Sequence, residues 1–272
     1  MILIFKERTA CKMIEVKNLC KNYGGHRAIE DLTFTLEKGH VYGFLGPNGA
    51  GKSTTMNIIT GCLAATSGNV LIDGMDIFEN AVKAKKLIGY LPEIPPLYPD
   101  MTVFEYLSFI AEVKGVPKEN TTEELFKVMT ETKTEEVGHR LIKNLSKGYR
   151  QRVGIAQALI GDPEIIILDE PTAGLDPKQI IEIRELIIAL GKEHTVILSS
   201  HILSEVQAVC DYILIISEGK LVANDTAGNL EKGFGAGLEE IFLKLTGSAS
   251  EIPSEGTAVF NEKEVKDDDS NI

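Results

Sequence analysis

Eight residues, GPNGAGKS at Gly46–Ser53, carry the most specific chemistry in the chain. They fit the spacing G-x-x-x-x-G-K-[ST] in full. Glycines at these positions let the backbone curl so that successive N–H groups point inward and hold phosphate oxygens. The candidate cradle runs from Gly46 through Pro47, Asn48, Gly49 and Ala50 to Gly51. Lys52 can neutralise β- and γ-phosphates, and the Ser53 hydroxyl can sit on Mg²⁺. Thr54 opens the helical pattern that follows, whose N-terminal dipole favours an anion. A plain strand–loop–helix turn can also carry Gly and Lys, but the apolar run Val41–Leu45 before the loop and the helical spacing after it favour a phosphate cradle.

A second stretch, IIILDE at Ile165–Glu170, is an apolar strand ending in two acids. A buried strand fixes where its end points, which places Asp169 to hold Mg²⁺ through water, as in nucleotide-hydrolysing proteins with such a loop. Glu170 comes next and can polarise the attacking water as general base. Two acids here would also serve as a helix cap; together with Gly46–Ser53 they point to hydrolysis of a nucleoside triphosphate.

These residues need rigid elements to hold them. MIEVKNL and AIEDLTFTLE alternate apolar and polar residues as half-buried strands do. NVLIDGMDI reads as a strand and Asp-Gly turn. From about residue 79 to 160 the pattern is mostly helical, and thereafter strands (IIIL, TVILSS, YILIIS) alternate with helices. That alternation predicts an α/β fold of parallel βαβ units, with fully apolar strands in a sheet covered on both faces.

The 272 residues carry a net charge of −12, which argues against a nucleic-acid binder held by bulk electrostatics. Four scattered cysteines without a C-x-x-C pair fit a reduced cytosolic compartment better than a disulfide framework or zinc site. No apolar run approaches the roughly 20 residues of a bilayer span. Residues 1–12 read as an N-terminal extension, with Met13 a candidate start. Residues 248–272 read as a disordered acidic tail, with an acidic docking segment as the alternative.

The ordered set of motifs from about Met13 to Gly219 resembles the nucleotide-binding subunit of ABC (ATP-binding cassette) transporters. LSKGYRQRV resembles the LSGGQ signature, with Leu145, Ser146 and Gly148 in place and Lys147 and Tyr149 departing from it. AGLD at Ala173–Asp176 resembles the D-loop, His201 the switch histidine, and Tyr23 the aromatic that stacks on adenine. Glu93 in GYLPE falls where the family usually has a glutamine near Mg²⁺, and resembles exporter-type cassettes served by separate membrane subunits. His26, His40, His139 and His194 have no such context.

The resemblance implies a P-loop NTPase cassette, residues 13–247, with an antiparallel β-subdomain and an inserted α-helical subdomain at about 94–160. It implies ATP and Mg²⁺ as cofactors, with Ser53, Glu93 and Asp169 at the metal and Lys52, Glu170 and His201 in catalysis. It also implies a second copy or similar cassette as partner, whose ATP would meet Ser146 and Gly148, and a polytopic membrane permease. The expected place is cytoplasmic, on the inner face of the cell membrane. A regulatory ABC protein without solute transport is the alternative. Ribosome-associated types carry two cassettes and chromosome types carry long coiled coils or zinc-binding cysteines, and neither pattern is present in the sequence. The Pro-rich stretch EIPPLYPDMTV after Glu93 suits a surface for the membrane subunit, or a plain interdomain loop.

Overall fold

The structure, a computed structural model, describes residues 12–247. The expectations for the tail and for residues 1–11 lie outside the described residues. Lys12 does not belong to a separate extension: it opens the first strand, opposite Glu37.

Among the described residues, ten strands form two sheets. β1 (Lys12–Tyr23), β2 (His26–Glu37), β4 (Ser67–Ile72) and β5 (Met75–Asp76) make an antiparallel sheet in the order β2-β1-β4-β5. β3 (Val41–Leu45), β6 (Ile88–Leu91), β7 (Ile165–Asp169), β8 (Thr195–Ser200), β9 (Tyr212–Ser217) and β10 (Lys220–Asp225) make the second, in the order β10-β9-β3-β8-β7-β6. Its strands pair in parallel except β10, which runs antiparallel to β9.

The apolar strands are covered on both faces because successive side chains point to opposite sides. Ile165, Ile167, Ile197, Leu214 and Ile216 pack with Ile14, Val16, Phe34 and Phe44 in a core reached by the antiparallel sheet. Their neighbours Ile166, Leu168, Val196, Leu198 and Ile215 pack on the other side with residues of the helices. Burying each such side chain contributes roughly 1.5–3 kcal/mol, so the strand ends that carry chemistry rest on a rigid base.

Helices α1 (Lys52–Ile59) and α2 (Ala81–Lys86) follow the first strands, and α3 (Val103–Lys114), α4 (Lys118–Glu131) and α5 (Lys147–Leu159) pack together ahead of β7. α3 starts with a capping box: Thr102 accepts from the Glu105 N–H and the Glu105 carboxylate accepts from the Thr102 N–H. At its other end Lys114 donates to the carbonyls of Gln157, Ala158 and Ile160, closing the C-terminus of α5. α6 (Pro177–Leu190), α7 (Leu203–Val209), α8 (Ala227–Phe234) and α9 (Leu238–Thr246) complete the order.

Two elements depart from the sequence reading. The helical stretch from 79 to 160 is interrupted by β6, a four-residue strand paired with β7 and backed by α5, so closely that a Cβ on Gly89 would collide with the Ala158 carbonyl. A run this short carries no periodic signal, and its strand state comes from the sheet edge it joins. The hairpin β9–β10 was not anticipated either. Glu218 (φ 48°) and Gly219 (φ 77°) form its tight two-residue turn, a backbone usually signalled by Asn-Gly or Asp-Gly.

Candidate functional site

The glycine loop leaves β3 and enters α1 in six residues, and two of its glycines, Gly46 and Gly51, are enforced by neighbours. A Cβ on Gly46 would overlap the Ile216 carbonyl, and one on Gly51 would lie 2.7 Å from the Ala28 carbonyl, with φ already at 105°. α1 has no side-chain cap at its N-terminus, which leaves its leading N–H groups available to an anion. Gly46 and Ala50 are buried, whereas Asn48 and Gly49 face outward at the crest.

Lys52 folds back over the loop. Its Nζ donates to the carbonyls of Gly46 at 2.8 Å and Pro47 at 3.2 Å, and lies 3.8 Å from Glu170 Oε1. Burial lowers the pKa of this ammonium from its ordinary value, while Glu170 and Asp169 pull it back up. The Ser53 hydroxyl donates to Asp169 Oδ1 at 3.1 Å. Hydroxyl and carboxylate oxygen, both hard donors, fit Mg²⁺, which needs only one or two carboxylates when phosphates supply the rest.

Two strand ends meet here. Ser199, fully buried on β8, donates from Oγ to Asp169 Oδ1 at 2.5 Å and accepts the Glu170 N–H at 2.9 Å. Glu170 takes φ 50°, an uncommon value for a residue with a side chain, which sets its carboxylate apart from that of Asp169. That carboxylate lies between Lys52 and His201, whose Nδ1 is 3.1 Å from Oε1 and 3.0 Å from Oε2. Lys52, Ser53, Asp169, Glu170 and His201 therefore converge as one group.

Tyr23, 48% exposed, borders a cleft of about 260 Å³ with Gly49, Gly51, Ser53 and Thr54, and Lys21 lies over its ring at 5.2 Å. An exposed ring beside a phosphate cradle can stack on a base. Glu93 is exposed and makes a second cavity, of about 580 Å³, with Ile94, Pro95, Leu97, Ile142 and Lys147; its charge is felt at Lys52.

Ser146 caps α5, accepting the Tyr149 N–H at 3.3 Å, and Gly148 is packed so tightly that a Cβ would lie 2.6 Å from the Gln179 side chain. Both border a third, polar cleft of about 360 Å³ with Arg152, Asp176 and Glu182. Arg152 ties α5 to α6 through Glu182 at 2.6 Å. This cleft shares no lining residue with the one beside Tyr23, so Ser146 and Gly148 border a cleft of their own.

The ABC transporter profile matches residues 29–173. YhcH of Bacillus subtilis (strain 168), an uncharacterised ABC transporter ATP-binding protein, is 41% identical over 255 residues, covering 92% of this chain and 79% of that one. The chain belongs to the ABC transporter family. It is an ATP-binding, ATP-hydrolysing subunit of such a transporter. The cassette is also 40% identical to the bacitracin transport ATP-binding protein BcrA of Bacillus licheniformis, over 81% of this chain and 72% of that one. The ATP-binding cassette MJ0796, solved as a dimer in a post-hydrolysis state bound to ADP and Pi, superposes with a TM-score of 0.72 at 26% identity, over 79% of this chain and 98% of that one.

No helix among the cassette's described residues is long and apolar enough to cross a membrane. Ser199, Thr172 and Glu205 were not singled out from sequence, although Ser199 bonds both Asp169 and Glu170, and Glu205 accepts from Thr172. The available signal was the pair of serines ending an otherwise apolar strand, SS at Ser199–Ser200, because buried hydroxyls must find partners.

Proposed function

We propose that this cassette powers an exporter by closing head to tail with a second copy, or a similar cassette, around two ATP molecules. Lys52 and the loop from Gly46 to Thr54 would hold the phosphates, Ser53, Asp169 and Glu93 would serve Mg²⁺, and Tyr23 would stack on adenine. Glu170 would take a proton from the attacking water, and His201 would orient that carboxylate and meet the γ-phosphate. Ser146 and Gly148 would face the ATP of the partner. The observation that supports this reading is that Ser146 and Gly148 border a different cleft from Gly49, Gly51, Lys52 and Ser53 of the same chain. Such a layout leaves each site incomplete without a second subunit. Release of the γ-phosphate would weaken the closed pair, a two-state element biased by nucleotide.

The apolar cavity beyond Glu93, with Ile94, Leu97 and Ile142, would receive a polytopic membrane subunit, which would hold the cassette at the inner face of the membrane. The bacitracin-transport relative supports transport, of a cargo this subunit would not touch. Size-exclusion chromatography of the Glu170→Gln protein tests the sandwich: a dimer with ATP and a monomer with ADP support it, and a monomer with both overturns it. Co-purification with a polytopic membrane protein tests the docking.

A further inference from the structure

Glu205 lies in the first turn of α7, 5% exposed, and has no part in the functions described above. A carboxylate at that depth needs partners, because burying an unpaired charge is costly. Its Oε2 accepts two hydrogen bonds, from Thr172 Oγ1 at 2.7 Å and from Ser200 Oγ at 2.9 Å. All three side chains are buried.

The two donors come from different segments. Thr172 stands two residues past Glu170, in the loop leaving β7, and Ser200 is the last residue of β8, directly before His201. The Ser200 hydroxyl also accepts the Ile202 N–H at 3.0 Å, so both chain neighbours of His201 are tied to Glu205. His201 itself is exposed, and packing alone does not fix its ring. The carboxylate thus reaches beyond its own helix and joins two loops.

We propose that Glu205 is a positioning residue for ATP hydrolysis: it locks the loop carrying His201 to the loop carrying Glu170 and so sets the imidazole–carboxylate contact. This rests on the roles given above to Glu170 and His201. Thr172→Val keeps the shape and deletes one donor, Glu205→Gln keeps an acceptor, and Glu205→Ala removes it.

The test is steady-state ATP hydrolysis by the purified full chain. For Thr172→Val, kcat falls about tenfold with KM for ATP within about twofold; Glu205→Ala loses more, and Glu205→Gln recovers part of that loss. In a His201→Ala background, Thr172→Val produces no further fall, because residues acting as one unit are not additive. Equal losses in both backgrounds overturn the proposal, as does an unchanged kcat in both Thr172→Val and Glu205→Gln. Full turnover by His201→Ala alone removes the role of His201 and the proposal with it. Should Glu205→Ala fail to fold, the two Thr172→Val comparisons still decide.

Discussion

His201 Nδ1 stands 3.0 Å from Glu170 Oε2. The two residues are 31 apart in sequence and directly follow adjacent parallel strands, β8 and β7, which pair Asp169 with Ser199. Sheet register brings the two residues within reach of each other: the strands that bury Ile166, Ile167 and Leu168 end side by side just before them.

Ser199 joins the same strand ends one step deeper. Ser199→Ala would strip the Glu170 N–H of its acceptor and Asp169 of a donor, both in a buried setting. The expected cost is about 1–3 kcal/mol of stability in urea unfolding. The Mg²⁺ concentration for half-maximal ATP hydrolysis should rise at least about threefold, as Asp169 loses its orientation.

Lys52 supplies a positive charge that burial and the Gly46 carbonyl already hold in place. Lys52→Ala should weaken ATP binding by at least about tenfold in a fluorescent-nucleotide titration, since a charge-assisted phosphate contact is lost. Undiminished affinity would remove Lys52 from the phosphate site.

The lysine that departs from the signature does not extend straight to solvent. Lys147 Nζ occupies the space a Cβ on Gly174 would take, so its side chain folds over the AGLD stretch. Placed beside the signature, its charge would favour a partner's ATP. Lys147→Ala in the Glu170→Gln background should weaken ATP-driven dimerisation by about threefold, and less at high salt. Equal dimerisation at both salt concentrations would assign Lys147 to the solvated surface.

Lys114 gives a pH signature. Burial lowers its pKa to about 8 from an ordinary 10.5, with Glu124 opposing. Between those values the folded chain binds fewer protons at this site than the unfolded chain, so its contribution to stability increases with pH. The slope reaches at most about 1.4 kcal/mol per pH unit. Urea unfolding of wild type and Lys114→Met should show their stability difference moving in favour of wild type from about pH 8 to about pH 10. Parallel curves would contradict the assignment.

Much of the site was legible because its chemistry is local. The glycine loop and the acid pair at Asp169–Glu170 each occupy one contiguous stretch, and each directly follows a short, continuous apolar run of a buried strand. What stayed hidden depends on pairing between distant segments. Ser199, Thr172 and Glu205 are ordinary residues in sequence and gain meaning only where β7 and β8 lie side by side. β6 was hidden for the same reason: four residues become a strand by joining β7. Lys147 is legible in sequence only as a departure from the signature, and its course over Gly174 depends on a loop 27 residues away, which no local pattern encodes.

The most direct test of the account is phosphate release from ATP by the Glu170→Gln protein. If Glu170 is the base, the amide cannot accept the proton, and turnover should fall by at least about 100-fold while ATP still binds. A rate equal to that of the unaltered chain would contradict the mechanism.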